Sequence, residues 1–286
     1  HIPSLIELDL SMLDKLFRNQ PLVSLNRKET QEFIEKLKDE ATSSEPEYNL
    51  AEFIDRLHVL LHEEEINWAV VSRLIAEGIS KTIITPQFGA LYDQINQANT
   101  AFQDALQTSY PQTKNASAVK KPRIVSKILD YLHFNFREKK IALIVVDGMA
   151  LWQYELLKTR LPGTKHEEVI YSWLPSITQL SRQAIFRGDI PLSDYRQGPT
   201  SEEKLWKMYW KEKGCHAFEV AYQHEKIDLS NIDAVTKLAI VFKDLDDKMH
   251  GSSDYADLLM LTKNWMDRSK IAQVIEDLLS KGFTVF

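Results

Sequence analysis

Apolar residues recur every three or four positions through the first 110 residues of the chain. This spacing places them on one face of a helix. It predicts helices at residues 4–18, 27–40, 50–61, 66–79 and 86–106. We therefore expect residues 1–110 to form an all-helical N-terminal region.

The pattern changes at residues 141–146, which read Ile-Ala-Leu-Ile-Val-Val. An unbroken apolar run rich in β-branched residues is typical of a strand buried on both faces. Further strands are predicted at 169–173, 217–222 and 238–242, and another begins at 283–286. Helices predicted at 150–157, 181–186, 205–213, 255–266 and 269–279 separate these strands. Such alternation predicts an α/β fold, with a mostly parallel sheet and helices on both faces.

A polar stretch at residues 110–118 lies between the two patterns. It lacks periodicity and contains Pro111, which is typical of a linker. Pro122 then occupies the favoured first-turn position of a new helix. We therefore divide the chain into a helical region (1–110), a linker (111–121) and an α/β domain (122–286). A capping box at Thr200–Glu203 is expected to begin the 205–213 helix.

Composition and charge narrow the class of protein. The 286 residues carry a net charge of −6, which argues against a large DNA-coating surface. Cys215 is the single cysteine, so the chain has no disulfide framework and no four-cysteine zinc site. No apolar run is long enough to span a membrane, and no signal-peptide segment is visible. We expect a cytoplasmic protein in a reducing compartment.

Asp147 is the first candidate for chemistry, because it directly follows the central strand. In open α/β sheets, ligands bind in the crevice outside the carboxyl ends of the strands. Asp147 is therefore a candidate ligand or catalytic group, and Gly148 allows a sharp turn after it. The alternative is that Asp147 caps the next helix.

A second candidate follows the predicted strand 169–173. Thr178 is expected near the start of a helix, where free backbone N–H groups and the helix dipole attract anions. Its hydroxyl could cap that helix or act as a nucleophile beside a phosphate. Arg182, one turn later, could neutralise such a phosphate or form a salt bridge.

A third candidate follows the predicted strand 238–242. Asp246 and His250 are four residues apart, so in a helix or turn they point in the same direction. A carboxylate and an imidazole suit zinc or a similar divalent ion.

Three segments in this order and spacing resemble the PglZ family, a branch of the alkaline phosphatase superfamily. They read Leu-Ile-Val-Val-Asp-Gly-Met, Leu-Pro-Ser-Ile-Thr-Gln-Leu-Ser-Arg-Gln-Ala-Ile-Phe-Arg-Gly and Asp-Leu-Asp-Asp-Lys-Met-His-Gly. That family includes a subunit of bacterial BREX anti-phage systems. The resemblance covers about residues 120–286, and it implies an alkaline-phosphatase-like sheet.

The resemblance also implies roles for individual residues. Asp147 would be a ligand of one metal, Asp246 and His250 would ligate the other, and Thr178 would be the nucleophile that faces or bridges the metals. Ser176 is the competing nucleophile, and Arg182 is a further catalytic candidate. The cofactor would be a divalent metal, zinc or manganese. Two such ions polarise a phosphoryl group and lower the pKa of the attacking hydroxyl.

The sequence departs from the family pattern near Phe286. The family continues from its last strand into a Ser/Thr-Asp-His-Gly turn, which this sequence does not include. We therefore expect incomplete metal sites, and weak or no activity from residues 1–286 alone.

These features leave three functions open. The first is a metal-dependent phosphoesterase or phosphodiesterase of a phage-defence protein, with nucleotides or nucleic acid as substrate. The second is a non-catalytic scaffold that binds other defence subunits, such as a DNA methyltransferase. The third is a nucleotide-binding α/β domain without chemistry. Fold resemblance alone does not separate them.

Overall fold

The computed structural model describes residues 48–115, 121–194 and 196–286. The helices predicted at 4–18 and 27–40 lie outside these ranges. None of the helices within them is both long and apolar enough to cross a membrane.

The described part of the N-terminal region is helical, as predicted. It contains α1 (Leu50–Leu61), α2 (Trp68–Thr82) and α3 (Phe88–Lys114). Asn49 and Asn67 cap α1 and α2, because each side-chain oxygen accepts a backbone N–H from the first turn. The apolar faces of the three helices form one cluster, built on Phe53, Leu57, Val71, Leu74, Leu91 and Ala98.

The third helix corrects the position predicted for the linker. α3 continues through Pro111 to Lys114, so residues 111–114 are helical. Contacts distant in sequence stabilise this last turn: the Tyr110 hydroxyl accepts the N–H of Leu174 at 2.7 Å. The Lys114 ammonium lies 5.2 Å from the centre of the Trp173 ring. The linker was predicted from local composition, which carries no information about contacts with residues distant in sequence.

The α/β part has a four-stranded, all-parallel sheet within the described residues, which confirms the predicted fold class. The strands are β1 (Ile141–Val146), β2 (Val220–His224), β3 (Lys237–Phe242) and β4 (Thr284–Val285). Their order is β2-β3-β1-β4, so the central run Ile141–Val146 lies inside the sheet. Ile141 pairs with Lys237 on one side and Thr284 on the other.

Helices cover both faces of this sheet. The remaining helices are α4 (Ile128–Phe136), α5 (Leu151–Lys158), α6 (Thr178–Arg187), α7 (Pro199–Glu212), α8 (Asp244–Gly251), α9 (Tyr255–Arg268) and α10 (Ile271–Ser280). Leu238, Ile240 and Phe242 of β3 pack with α9 and α10, whereas Ala239 and Val241 pack with α4 and α7. The alternation follows from the two-residue period of a strand.

Several predicted elements differ from the structure. Residues 169–173 are not a strand: Tyr171 makes one isolated parallel bridge to Ile124. The Tyr171 ring instead stacks on Phe102 of α3, so this segment packs against the helical region and does not pair with a strand of the sheet. The helix expected from Pro122 begins as a 3₁₀ turn at Val125–Lys127.

The capping box predicted at Thr200 is also absent. α7 begins at Pro199, with Gly198 at its N-cap and Thr200 already within the helix. Proline at the first helical position loses no hydrogen bond, because that N–H has no partner in any helix. β2 likewise begins only at Val220, after a 3₁₀ turn at Ala217–Glu219.

Candidate functional site

Asp147 lies at the carboxyl end of β1, at the edge predicted for a site. Its backbone N–H donates to the Phe242 carbonyl at 2.8 Å, which ties the ends of β1 and β3 together. Its side chain is buried, with 3% exposure. Asp147 does not cap the following helix, because the N-cap of α5 is Ala150. The carboxylate therefore remains available for other interactions.

The principal partner of Asp147 is Arg182. One terminal nitrogen of the guanidinium, Nη1, donates to Asp147 Oδ2. The other, Nη2, contacts both carboxylate oxygens of Glu202, at 2.7 Å and 2.8 Å. All three side chains are buried, so β1, α6 and α7 are joined by a charge network shielded from solvent.

Asp246 lies beside Asp147, across the turn at Gly148. Gly148 has φ +71°, and a Cβ atom built there would lie 2.8 Å from Asp246 Oδ1. A larger residue would therefore displace Asp246. His250 follows one turn later on α8, with its Nε2 3.7 Å from Asp246 Oδ1. The His250 side chain is 78% exposed, so it lies at the solvent side of this pair.

Thr178 is the first residue of α6 and is partly exposed. Its side chain makes no capping hydrogen bond, so the capping role considered from sequence is not found. Arg182 is four residues later on the same helix, which places both on one face. Ser176 precedes the helix and is exposed. Thr178 therefore lies on the same helix as Arg182, the partner of Asp147, and no hydrogen bond between Thr178 and either aspartate is found among the described residues.

Burial and charge act in opposite directions within this group. Burial raises the pKa of Asp147 above its usual value; Arg182 lowers it and the nearby Asp246 raises it further. Burial disfavours the charged form of Arg182. The carboxylates of Glu202 and Asp147 nevertheless hold the pKa of Arg182 above its usual value. Two carboxylates pair with the guanidinium and Asp246 lies near one of them, so the excess negative charge favours binding of a cation.

The side chains at this edge of the sheet are of the types that bind divalent ions. Asp147 and Asp246 offer carboxylate oxygens and His250 an imidazole nitrogen, which are ligands for zinc or manganese. The number of such ligands is small: the described residues contain no cluster of three or more His, Cys, Asp or Glu side chains that could hold a metal. Asp147 Oδ2 is paired with Arg182, whereas Oδ1 makes no hydrogen bond to another described residue.

A cavity of about 320 Å³ opens beside the turn that follows Asp147. It lies between α2 of the helical region and the start of α5. The lining includes Arg73 and Ala76 from the helical region, and Met149, Tyr154 and Glu167 from the α/β part. Its volume is within the range of small-molecule pockets.

Sequence reasoning missed Glu202, Gln197 and Tyr222. The Tyr222 hydroxyl donates to Glu202 Oε2 at 2.6 Å, and the Gln197 amide donates to Oε1. Glu202 stands in a polar run at a helix start, where glutamate is ordinarily exposed. Its burial results from tertiary packing, and no local signal in the sequence distinguishes it from Glu203.

Comparison with known proteins agrees with this architecture. Residues 127–258 match a family model described as the BREX system PglZ alkaline phosphatase-like domain. The matched segment contains Asp147, Thr178, Arg182, Asp246 and His250. A search of curated proteins finds no match. By this match, residues 127–258 of the chain are similar to the BREX system PglZ alkaline phosphatase-like domain.

Proposed function

We propose that this domain is a metal-dependent phosphodiesterase of a BREX anti-phage system, acting on nucleotides or nucleic acid. The observation that carries the proposal is the placement of Asp147 and Asp246 side by side at the carboxyl ends of β1 and β3. Two carboxylates held this close raise each other's energy, an arrangement that a bound cation stabilises. The family match supports the same reading.

Asp147 would hold one ion, and Asp246 with His250 would hold a second, zinc or alternatively manganese. When bound, such an ion polarises the phosphoryl group and lowers the pKa of an attacking hydroxyl. Thr178 Oγ1 would attack phosphorus as the bond to the leaving alcohol breaks, and the departing oxygen takes up a proton. Water would then hydrolyse the phosphothreonine and restore the hydroxyl.

The test is hydrolysis of bis(p-nitrophenyl) phosphate by residues 1–286, with zinc or manganese added. We expect slow, metal-dependent turnover, because Asp147 and Asp246 lie side by side but supply only part of a ligand set. Asp246→Ala should lose bound metal and turnover together, since it deletes a ligand. Thr178→Ala should retain the metal and lose turnover, since it deletes the nucleophile.

Ser176→Ala separates the two candidate hydroxyls. If Ser176→Ala abolishes turnover and Thr178→Ala does not, Ser176 is the nucleophile. If Asp147→Ala, Asp246→Ala and Thr178→Ala all keep wild-type turnover and metal content, the phosphodiesterase assignment is wrong.

The second candidate is a scaffold that binds other BREX subunits, such as a DNA methyltransferase. The pairing of Asp147 with Arg182 favours it, because an internal guanidinium already partly neutralises this carboxylate. A phosphatase-like fold can serve binding without chemistry. Equal retention of a methyltransferase by the wild type and by Thr178→Ala, with no turnover from either, would support the scaffold.

A further inference from the structure

We propose that Glu202 and Arg182 are positioning residues, which together hold the Asp147 carboxylate in one orientation and keep its second oxygen available to a cation. This inference rests on the proposed metal site at Asp147. It assigns to Arg182 a role inside the protein, in place of contact with a substrate phosphate. It also gives a role to Glu202, which lies 55 positions after Asp147 in the chain.

Glu202 is the fixed end of the network. Its side chain has 0% exposure, and both of its oxygens accept hydrogen bonds. The donors come from three separate parts of the fold: Arg182 on α6, Tyr222 on β2 and Gln197 before α7. With both oxygens engaged, the carboxylate cannot rotate without breaking buried hydrogen bonds, which is costly.

Arg182 links the fixed carboxylate of Glu202 to the carboxylate of Asp147. Its two terminal nitrogens are used on two different carboxylates, and its Nε is buried without a hydrogen-bond partner among the described residues. A bidentate pair would place two of its N–H groups on a single carboxylate, whereas here the two Nη atoms reach different carboxylates. The orientation of the guanidinium is thus set by the need to reach Glu202 and Asp147 together. A lysine, with a single ammonium, has no such fork.

The charge of Arg182 is also divided between the two carboxylates. If Glu202 lost its charge, Arg182 would act as the counter-ion of Asp147 alone and compete more strongly with a cation. The retained charge of Glu202 therefore keeps Asp147 able to bind metal while Arg182 keeps it oriented. Residues that orient a metal ligand in this way typically change metal affinity when replaced.

A double-mutant cycle in the absence of metal tests the connection directly. Asp147→Asn alone should shift the urea midpoint little. Burial disfavours the charged carboxylate of Asp147 and Arg182 stabilises it, so the two effects of removing that charge oppose each other. In the Glu202→Gln background, the same change removes the last carboxylate from Arg182, so the midpoint should fall by more than the two single shifts together. A double variant that fails to fold while both singles fold gives the same answer. Additive shifts would overturn the proposal, and Tyr222→Phe replaces Glu202→Gln if that single variant does not fold.

Manganese binding, measured by titration calorimetry, provides the second readout. Glu202→Gln should weaken binding about tenfold. Thr82→Val is the matched control, because it removes a buried hydrogen bond to the Gly78 carbonyl (2.7 Å) within α2 of the helical region and should leave manganese affinity unchanged. Equal affinities in the wild type and Glu202→Gln would contradict the positioning role. If the wild type binds no manganese, the proposed function fails, and the cycle still decides whether Glu202 acts on Asp147.

Discussion

Individual charged residues in this protein owe their roles to their surroundings. Arg182 and Lys237 are both buried cations, yet Arg182 bridges two carboxylates, whereas Lys237 donates to backbone carbonyls. The pKa of Lys237 is lowered by burial, while the carboxylates hold that of Arg182 above its usual value. The fork of a guanidinium suits two acidic partners, and the three donors of an ammonium suit a ring of carbonyls.

His133 should make stability depend on pH. Burial lowers its pKa in the folded protein, and the nearby Lys213 and Arg137 add to the effect. Because the unfolded chain binds the proton more readily, this contribution to stability is present above the unfolded pKa of about 6.5 and is lost as pH falls through the folded pKa. We expect the wild type to lose more stability than His133→Gln between pH 7.5 and 5.5. Urea denaturation of both proteins measures this, and parallel pH curves would refute it.

At the scale of elements, β3 does more than fill the core. Lys237 at its first position is 2% exposed, and its ammonium donates to the carbonyls of Arg137 (2.9 Å) and Lys139 (2.7 Å). These carbonyls follow the end of α4, where helix carbonyls lack partners. The strand thereby fixes the segment that leads from α4 into β1, and with it the position of Asp147.

Replacing Lys237 tests this connection between elements. We expect Lys237→Met to lower the free energy of unfolding by about 2 kcal/mol, because the carbonyls lose a buried donor. Lys139→Met is the matched control, since that side chain is exposed and its change should fall within about 0.5 kcal/mol. Chemical denaturation of the two variants gives the comparison. Equal effects would show that the contacts of Lys237 contribute no specific stability.

At the scale of the whole molecule, the helical region packs against the α/β part through a small cluster. Ala76 and Ile83 of the helical region meet Trp152 of α5 and Leu259 of α9. The ring of Phe88 also lies 5.1 Å from that of Tyr255. Each part has a core of its own, so this cluster, together with the contacts of α3 with Tyr171 and Leu174, couples their unfolding.

Trp152 is the largest residue in that cluster and is 6% exposed. We expect Trp152→Ala to cost about 3–5 kcal/mol and to separate one thermal transition into two. Trp68→Ala is the comparison, because Trp68 packs against Phe102 within the helical region. It should destabilise that region while the two parts remain docked. A single transition in Trp152→Ala would show that other contacts hold the parts together.

Local patterns in the sequence determined much of this architecture. The run Ile141–Val146 was predicted as a buried strand and is the interior strand β1. Helix periodicity located α1 with the same bounds, and Gly188 ends α6 in the left-handed conformation, as glycine favours. These features depend on residues a few positions apart, so a single sequence contains their signal. The position of Asp147 at the sheet edge follows from the end of the strand itself.

Tertiary structure alone decided the features that depend on distant residues. Arg182 meets Asp147 across 35 positions and Glu202 across 20, and Tyr110 stabilises Leu174 across 64. The same kind of contact turned residues 169–173 from a predicted strand into a segment packed against α3. Whether an arginine faces a phosphate or another side chain depends on which groups surround it. That environment is a property of the packed molecule, and the spacing of residues along the chain does not contain it.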